Sequence, residues 1–475
     1  MSSLNKYRKL INNSAIFALG NLGSKLILIF LVPLYTYYLT ASEYGRVDIV
    51  TTTISMLLPI ISLSIYEAVL RYVMDNEYDN ESVFTNSLVV TFIGILFGVL
   101  IYPFLRYLNI LTELLPYMYI ILFLQAIQML LTQFIRAIGK IMIYSINGIM
   151  MTVITAVLNI YFLVQLKMGI PGYFISIIVA NIISILYLLI RTNIAKYIDL
   201  TKINKQLVVK MLTYSIPLIP NAFIWWTMNA SNRYFILFYI GASANGLFAV
   251  ANKIPTLLSL LNTVFFQAWQ LSAIEEYGDT EKSKFYSNTF NYLSMTLFIG
   301  TSIILVFLKF IVSMLVSNEF YTVWEYVPFL LAGIIFSSFS GFLGTNYIAA
   351  KETKGVFKTS VLGGGVNIIL NIILIPILGI NGAGLSTLIS FLIIWLIRVY
   401  DTRKYIKVDI NKKSLIINCL LISFQTSILY ITLIPIYEFI VEFILMIFVL
   451  IVNKNLLKIT GQLLFSKMKV KLNKR

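Results

Sequence analysis

LNIYFLVQLKMGIPGYFIS, residues 158–176, returns as LNIILIPILGINGAGLS at 370–386. Each copy closes one long apolar run and opens the next. A second echo sets LTASEYG (39–45) against IGASANG (240–246), 201 residues on, with Ala, Ser and Gly at matching positions. The chain therefore contains itself twice. In a chain that is 59% hydrophobic, such duplication points to a transporter, because repeated bundles of membrane helices build a mid-bilayer site that opens to each side in turn.

A mean hydropathy of +0.87 with 12% charged residues leaves too little polar surface for a water-soluble fold. The expected class is all-α integral membrane. The first apolar run follows Lys6, Arg8 and Lys9, but it is about twice the length of a signal-peptide core and has no small-residue cleavage site, so it reads as a retained helix. Cys419 is the sole cysteine, and it lies in an apolar run, which excludes an intrachain disulfide. Histidine is absent, which removes imidazole as proton carrier, metal ligand or base and ends most zinc-enzyme readings. No cofactor or metal is expected.

A spanning helix needs about 20 apolar residues. Cutting the chain at charge clusters and Gly/Pro turns gives fourteen spans, near 12–38, 46–72, 83–105, 114–136, 141–165, 170–192, 209–240, 245–272, 285–315, 325–350, 356–378, 381–402, 414–434 and 435–457. An even number puts both termini on one side. Most of the 36 Lys and Arg fall in connections on that side, so the positive-inside rule makes both ends cytoplasmic. The net charge of +16 is then mostly topology, and its scatter over many loops speaks against nucleic acid as a partner.

The echoes match the first two spans to the seventh and eighth, and the fifth and sixth to the eleventh and twelfth. Two six-helix lobes follow, 1–200 and 201–410, with two further helices and a basic tail in 411–475. Even-numbered copies keep one orientation, so a pseudo-two-fold along the membrane normal should relate them, with a cavity between. The linker Lys196–Lys210 is the longest polar stretch; it reads as an amphipathic surface helix and hinge candidate. Pro33, Pro217, Pro220 and Pro255 should interrupt the first helices of both lobes. The acidic loop Asp75, Glu77, Asp79, Glu81 lacks a calcium loop's Gly and closing Glu and reads as a solvated turn. Gly363–Gly365 reads as close helix packing, since no strand or Gly-Lys-Ser surrounds it. The tail lysines, Lys467 onward, should lie against anionic headgroups.

A charge at a helix centre costs about 2.5–3.5 kcal/mol on insertion scales, so Lys25, Arg233 and Lys253 need a partner, water or a cavity. Under the 201-residue offset they fall on Trp226, Val32 and Thr52, so the charges break the duplication that the fold keeps. Arg233 and Lys253 flank the 241–246 turn at similar distances, and two like charges at one depth call for an anion. Candidate counter-charges are Asp48 and Glu67; Glu67 stands four residues before Arg71, the spacing of an intrahelical ion pair. Arg136 with Lys140, and Lys351 with Lys354, read either as inside-loop positives or as phosphate contacts. Trp225 and Trp226 read either as core or as sugar-stacking platforms.

The segments LVPLYTYYLTASEYGRVDIV (31–50), YIAAKETKGVFKTS (347–360) and LNIILIPILGINGAGLSTLIS (370–390) resemble the polysaccharide-transporter branch of the multidrug/oligosaccharidyl-lipid/polysaccharide (MOP) exporter superfamily, over almost the whole chain. That resemblance implies a Wzx-type flippase. It would carry undecaprenyl-diphosphate-linked oligosaccharide repeat units from the cytoplasmic to the outer leaflet of a bacterial inner membrane, for capsule, O-antigen or exopolysaccharide assembly. Polysaccharide polymerase and chain-length machinery would be its neighbours. The resemblance implies no enzyme activity and assigns phosphate contacts to basic residues of the matching type, here Lys25, Arg71, Arg233 and Lys253, with Arg136 added and Asp48 and Glu67 as ion-coupling candidates. In many relatives an Asp precedes the seventh-span Arg, whereas this chain has Asn232. The rival readings are a lipid II flippase and a cation-coupled multidrug exporter of the same superfamily. A membrane glycosyltransferase would need acids on a large outer loop, and the 106–116 connection has only Glu113.

Overall fold

The computed structural model describes residues 27, 29–75, 77–107, 112–278, 281–350, 352–432 and 434–454. Among them there is helix but no strand, and thirteen runs are long and apolar enough to cross a membrane. They coincide with the second to fourteenth expected spans. Most of the first span, with Lys25, and the basic tail lie outside the described residues.

In chain order the helices are α1 (Val32–Tyr38), α2 (Ala41–Ile61), α3 (Ile65–Asp75), α4 (Asn80–Tyr107), α5 (Leu115–Ala137), α6 (Ile141–Asn159), α7 (Gly169–Thr192), α8 (Lys205–Ser215), α9 (Leu218–Ala230), α10 (Asn232–Tyr239), α11 (Ala242–Ala251), α12 (Lys253–Glu275), α13 (Lys282–Val306), α14 (Leu308–Leu315), α15 (Val327–Ala349), α16 (Thr353–Leu378), α17 (Ile380–Asp401), α18 (Lys412–Tyr430) and α19 (Pro435–Val452). Their amphipathy runs inside out. Along α4, Phe92, Ile93, Leu96, Phe97 and Leu100 are exposed, whereas Asn86, Ser87 and Thr91 are buried. In water each exposed side chain would forgo roughly 1.5–3 kcal/mol of burial; against lipid tails nothing is lost. The buried hydroxyls donate to their own helix, Ser87 to Val83 O (2.7 Å) and Thr91 to Ser87 O (2.9 Å).

The described residues form two compact units. The first runs to Leu237 and includes Gly241–Ala249; the second holds Phe238–Ile240 and the residues from Val250 on. One core of the first unit gathers Val69, Phe84, Leu130, Phe134 and Met211 from α3, α4, α5 and α8. Another gathers Val50, Ile54, Leu122 and Phe174 from α2, α5 and α7. In the second unit α15 packs on α12, α13 and α17, and Phe342 stacks on Trp269 with ring centroids 4.4 Å apart.

The prolines mark helix breaks, as the sequence expectation has it, but without loss of a helical hydrogen bond. Pro33, Pro220 and Pro255 sit in the first turns of α1, α9 and α12, and Pro217 is the N-cap of α9; there the missing N–H costs no helical hydrogen bond. A further break, inside the second span, follows Pro59. Leu63 and Ser64 both take left-handed backbone, at φ 49° and 48°, a strained region for residues with a side chain. Gly94 covers the break, since a Cβ there would lie 1.9 Å from Ile61 O.

The linker departs in part from expectation, since only its end, from Lys205 on, is α-helical. It is two short 3-10 turns, Ile194–Tyr197 and Leu200–Lys202, ahead of α8, and it is fastened to α4. Thr85 Oγ1 donates to Tyr197 O (3.2 Å) and accepts from Asp199 N (3.0 Å). Asn86 Nδ2 donates to Lys202 O (3.0 Å), while its Oδ1 accepts from Asn204 N (2.9 Å). Lys202 Nζ then reaches Asp79 at 2.7 Å, and also Glu81. Half of the acidic loop is therefore also a latch for the linker, with its carboxylates still part-exposed as a solvated turn requires. The Lys202 ammonium holds the Asp79 carboxyl down at about 2, and the two carboxylates push Lys202 up.

Candidate functional site

The two copies of the short echo meet. Thr40 and Glu43 form a capping box that starts α2: Thr40 N donates to Glu43 Oε2 (2.9 Å) and Glu43 N to Thr40 Oγ1 (3.2 Å). In the other copy Gly241, at φ +122°, makes the turn into α11. Each helix then presents a small-xxx-small pair, Ala41 with Gly45 and Ala242 with Gly246. A Cβ on Gly45 would lie 1.9 Å from Ala242 O, and one on Gly246 would lie 1.9 Å from Ala41 O. The 201-residue offset exchanges these two contacts, so the crossing is itself pseudo-symmetric.

That crossing carries an asymmetric charge cluster. Asp48 follows Gly45 by one turn, and Asn245 precedes Gly246. Asn245 Nδ2 donates to Gly45 O (2.9 Å) and reaches Asp48 Oδ2 at 3.4 Å. Arg233 Nε donates to the same Asp48 oxygen at 2.7 Å, with the two side chains only 16% and 13% exposed. Arg233 Nη1 donates to Asn229 O (3.0 Å), and the guanidinium lies 5.8 Å from the Phe248 ring centre. Beside it Tyr234 and Thr53 hydroxyls share a 2.6 Å hydrogen bond, and Trp226 Nε1 donates to Thr52 O (3.2 Å). Trp226 packs between Phe223 and Tyr234, whereas Trp225 is exposed.

Of the residues singled out in the sequence, Arg233 and Asp48 are brought together. Lys253 opens α12 in the second unit, half-buried and without an ion pair to a described residue. Arg71 pairs with Asp75 at 2.9 Å, an exposed i, i+4 bridge that takes the place of the expected Glu67 pair. Helical geometry allows either partner; Ala68 and Val69 are buried on α3, and Glu67 feels the charge of Arg136 on α5. Lys25 lies outside the described residues.

Asn245, Tyr234 and Thr53 carry no charge signal and were not singled out. Nor was Arg398 in α17, 3% exposed, which among the described residues bonds neutral acceptors, including Ser340 O (2.7 Å), Thr359 Oγ1 (3.0 Å) and Ser360 Oγ (3.2 Å). These acceptors sit on α15 and α16, so Arg398 ties three helices together. No group of three or more His, Cys, Asp or Glu among the described residues is placed to hold a metal ion.

The model of the polysaccharide biosynthesis protein family matches residues 10–270, more than half of the chain. The chain belongs to that family. Among solved structures, the lipid II flippase MurJ in an inward closed conformation aligns at TM-score 0.68 and 16% identity, over 95% of this chain and 100% of that one. An inward-facing multidrug resistance MATE transporter of the MOP superfamily aligns at TM-score 0.66 and 14% identity, over 82% and 94%. A MATE transporter of Vibrio cholerae gives 0.59 and 14%, over 85% and 97%. At such identities the likeness is one of fold alone. No curated protein matches the sequence.

Proposed function

We propose that this polysaccharide biosynthesis protein is a flippase for undecaprenyl-diphosphate-linked oligosaccharides, moving them from the cytoplasmic to the outer leaflet of a bacterial inner membrane. The observation that carries the reading is the Arg233–Asp48–Asn245 cluster, a nearly enclosed cation held by an exchangeable anion at a helix crossing of a MOP fold. A diphosphate replaces Asp48 on Arg233 like for like. The exchange matters because a bare cation in the membrane costs about 2.5–3.5 kcal/mol, and with two alternating anions Arg233 is never bare.

In this scheme Asp48, once displaced, takes up a proton or a cation, with Glu67 beside Arg136 as a second coupling candidate. Lys25, Lys253 and Arg136 add phosphate contacts. Arg71 can join them, because an exposed pair such as Arg71–Asp75 holds its partner by only about 0–1 kcal/mol. Lobes 1–200 and 201–410 rock against each other. The fastening of the linker to α4 moves the pivot past Asn204, to the breaks at Pro217 and Ser231. Residues 411–475 flank the lipid tail.

The test is binding of purified full-length protein to an undecaprenyl-diphosphate oligosaccharide, with lipid II as the competing lipid suggested by the MurJ likeness. Arg233→Ala should weaken binding at least about tenfold, the loss of one charge-assisted contact of roughly 1.5–3 kcal/mol. Asp48→Asn, which keeps shape and removes the competing charge, should tighten it. Unchanged binding in Arg233→Ala contradicts the site, and preference for lipid II redirects the substrate.

A further inference from the structure

The last two helices meet across a polar seam in an otherwise apolar hairpin. At one end Asn418 of α18 and Asn453, the C-cap of α19, exchange amides. Asn453 Nδ2 donates to Asn418 Oδ1 at 2.8 Å, and Asn418 Nδ2 donates to Asn453 Oδ1 at 3.1 Å, with both residues buried. Each supplies a hydrogen and receives one. About two turns along α18 and three along α19, the same seam sets Gln425 against Glu442, 0% and 1% exposed. Gln425 Nε2 donates to Glu442 Oε2 at 3.0 Å, but no hydrogen returns. Gln425 Oε1 and Glu442 Oε1 are both buried without a donor.

Among the described residues no cation is left to neutralise this carboxylate. Glu438, one turn earlier, takes Lys309 at 2.8 Å, and Lys309 also donates to Leu429 O (3.1 Å) and lies 4.3 Å from the Trp324 ring centre. The charges that reach Glu442 are Glu438 and Lys309, already paired with each other. On α13 and α18, which pack against α19, the charged residues are Lys282, Lys284, Lys412 and Lys413, all in first turns; the other titratable groups are Tyr286, Tyr292, Cys419 and Tyr430. None of them bonds to Glu442. An ionised carboxyl only accepts hydrogen bonds, whereas a carboxylic acid carries one O–H, and a buried unpaired anion is the costlier state.

We propose that Glu442 is a proton-binding site: its carboxyl holds a proton on Oε1, which supplies the hydrogen missing from the seam, with Gln425 Oε1 as acceptor. The pair is then neutral, like Asn418 with Asn453, and α18 and α19 are joined by two rungs of the same kind. The inference stands apart from the transport reading.

The test is infrared spectroscopy of the full-length protein in lipid at neutral pH. Wild type minus Glu442→Gln should show the carbonyl stretch of a protonated carboxyl, shifted in heavy water; the variant supplies its own N–H and should fold. Raising the pH should replace the band by carboxylate bands. Gln425→Leu should keep the band and move it to higher frequency as the acceptor is lost. No difference band at neutral pH overturns the proton site, and an unmoved band in Gln425→Leu overturns the acceptor.

Discussion

Two connections in this molecule are copies of each other and are held differently. KYIDLTKINK (196–205) follows α7, and KYIKVDINK (404–412) follows α17. In both, the Asn of INK caps the next helix, Asn204 for α8 and Asn411 for α18. In both, an Asn of an earlier helix clamps the backbone. Asn86 holds Lys202 O and Asn204 N; Asn291 holds Asp409 O (3.1 Å) and Asn411 N (3.1 Å). The charge latch exists only in the first. At the place of Lys202, which grips Asp79 and Glu81, the second copy has Asp409, and its extra support is Ser287 Oγ accepting from Asp409 N (2.7 Å). The backbone clamp is thus a duplicated feature of the fold, and the ion pairs are found in one copy.

If the clamp is what matters, burial should rank the outcomes. The largest effect is expected from Asn86→Ala, which strands a carbonyl and an N–H beside a fully buried position and should cost on the order of 2–4 kcal/mol, read as a lower Tm of purified protein. Asn291 is half-exposed, so water can replace it; Asn291→Ala should cost about 1 kcal/mol. Equal losses would break the comparison. The smallest effect belongs to the latch: Lys202→Met should lower Tm detectably at low salt and not at high salt, as expected of exposed ion pairs. A loss that persists at high salt would make the latch more than an exposed pair.

The same latch sets a pH expectation. Asp79 is depressed to about 2, so its contribution is complete above its ordinary value near about 3.9 and disappears as the pH falls through about 2. Melting between about pH 5 and about pH 8 should therefore show no step that Asp79→Asn removes.

The fold was largely legible because its signals are long-range repeats and apolar length. LTASEYG and IGASANG foretold a matched pair, and the structure crosses them at Gly45 and Gly246. The KYI…INK echo was equally available as a repeat, yet its polar residues sit outside the apolar runs and the linker was read by composition alone. Asp48 was named as a counter-charge, but its bond to Arg233 spans 185 residues, a separation that helical spacing cannot reach. Where spacing proposes a partner for Arg71 it names Glu67, whereas the structure pairs Arg71 with Asp75, the acid four residues on the other side. Glu442 is one of two acids in an apolar run, and its meaning depends on Gln425 of the neighbouring helix.

In the proposed cycle Arg233 hands an anion across the membrane. Outward movement of a labelled undecaprenyl-diphosphate oligosaccharide in proteoliposomes, with wild type and Arg233→Ala at matched protein levels, tests it most directly. Transport by wild type that is lost in the variant is the predicted result; equal transport by both would contradict it.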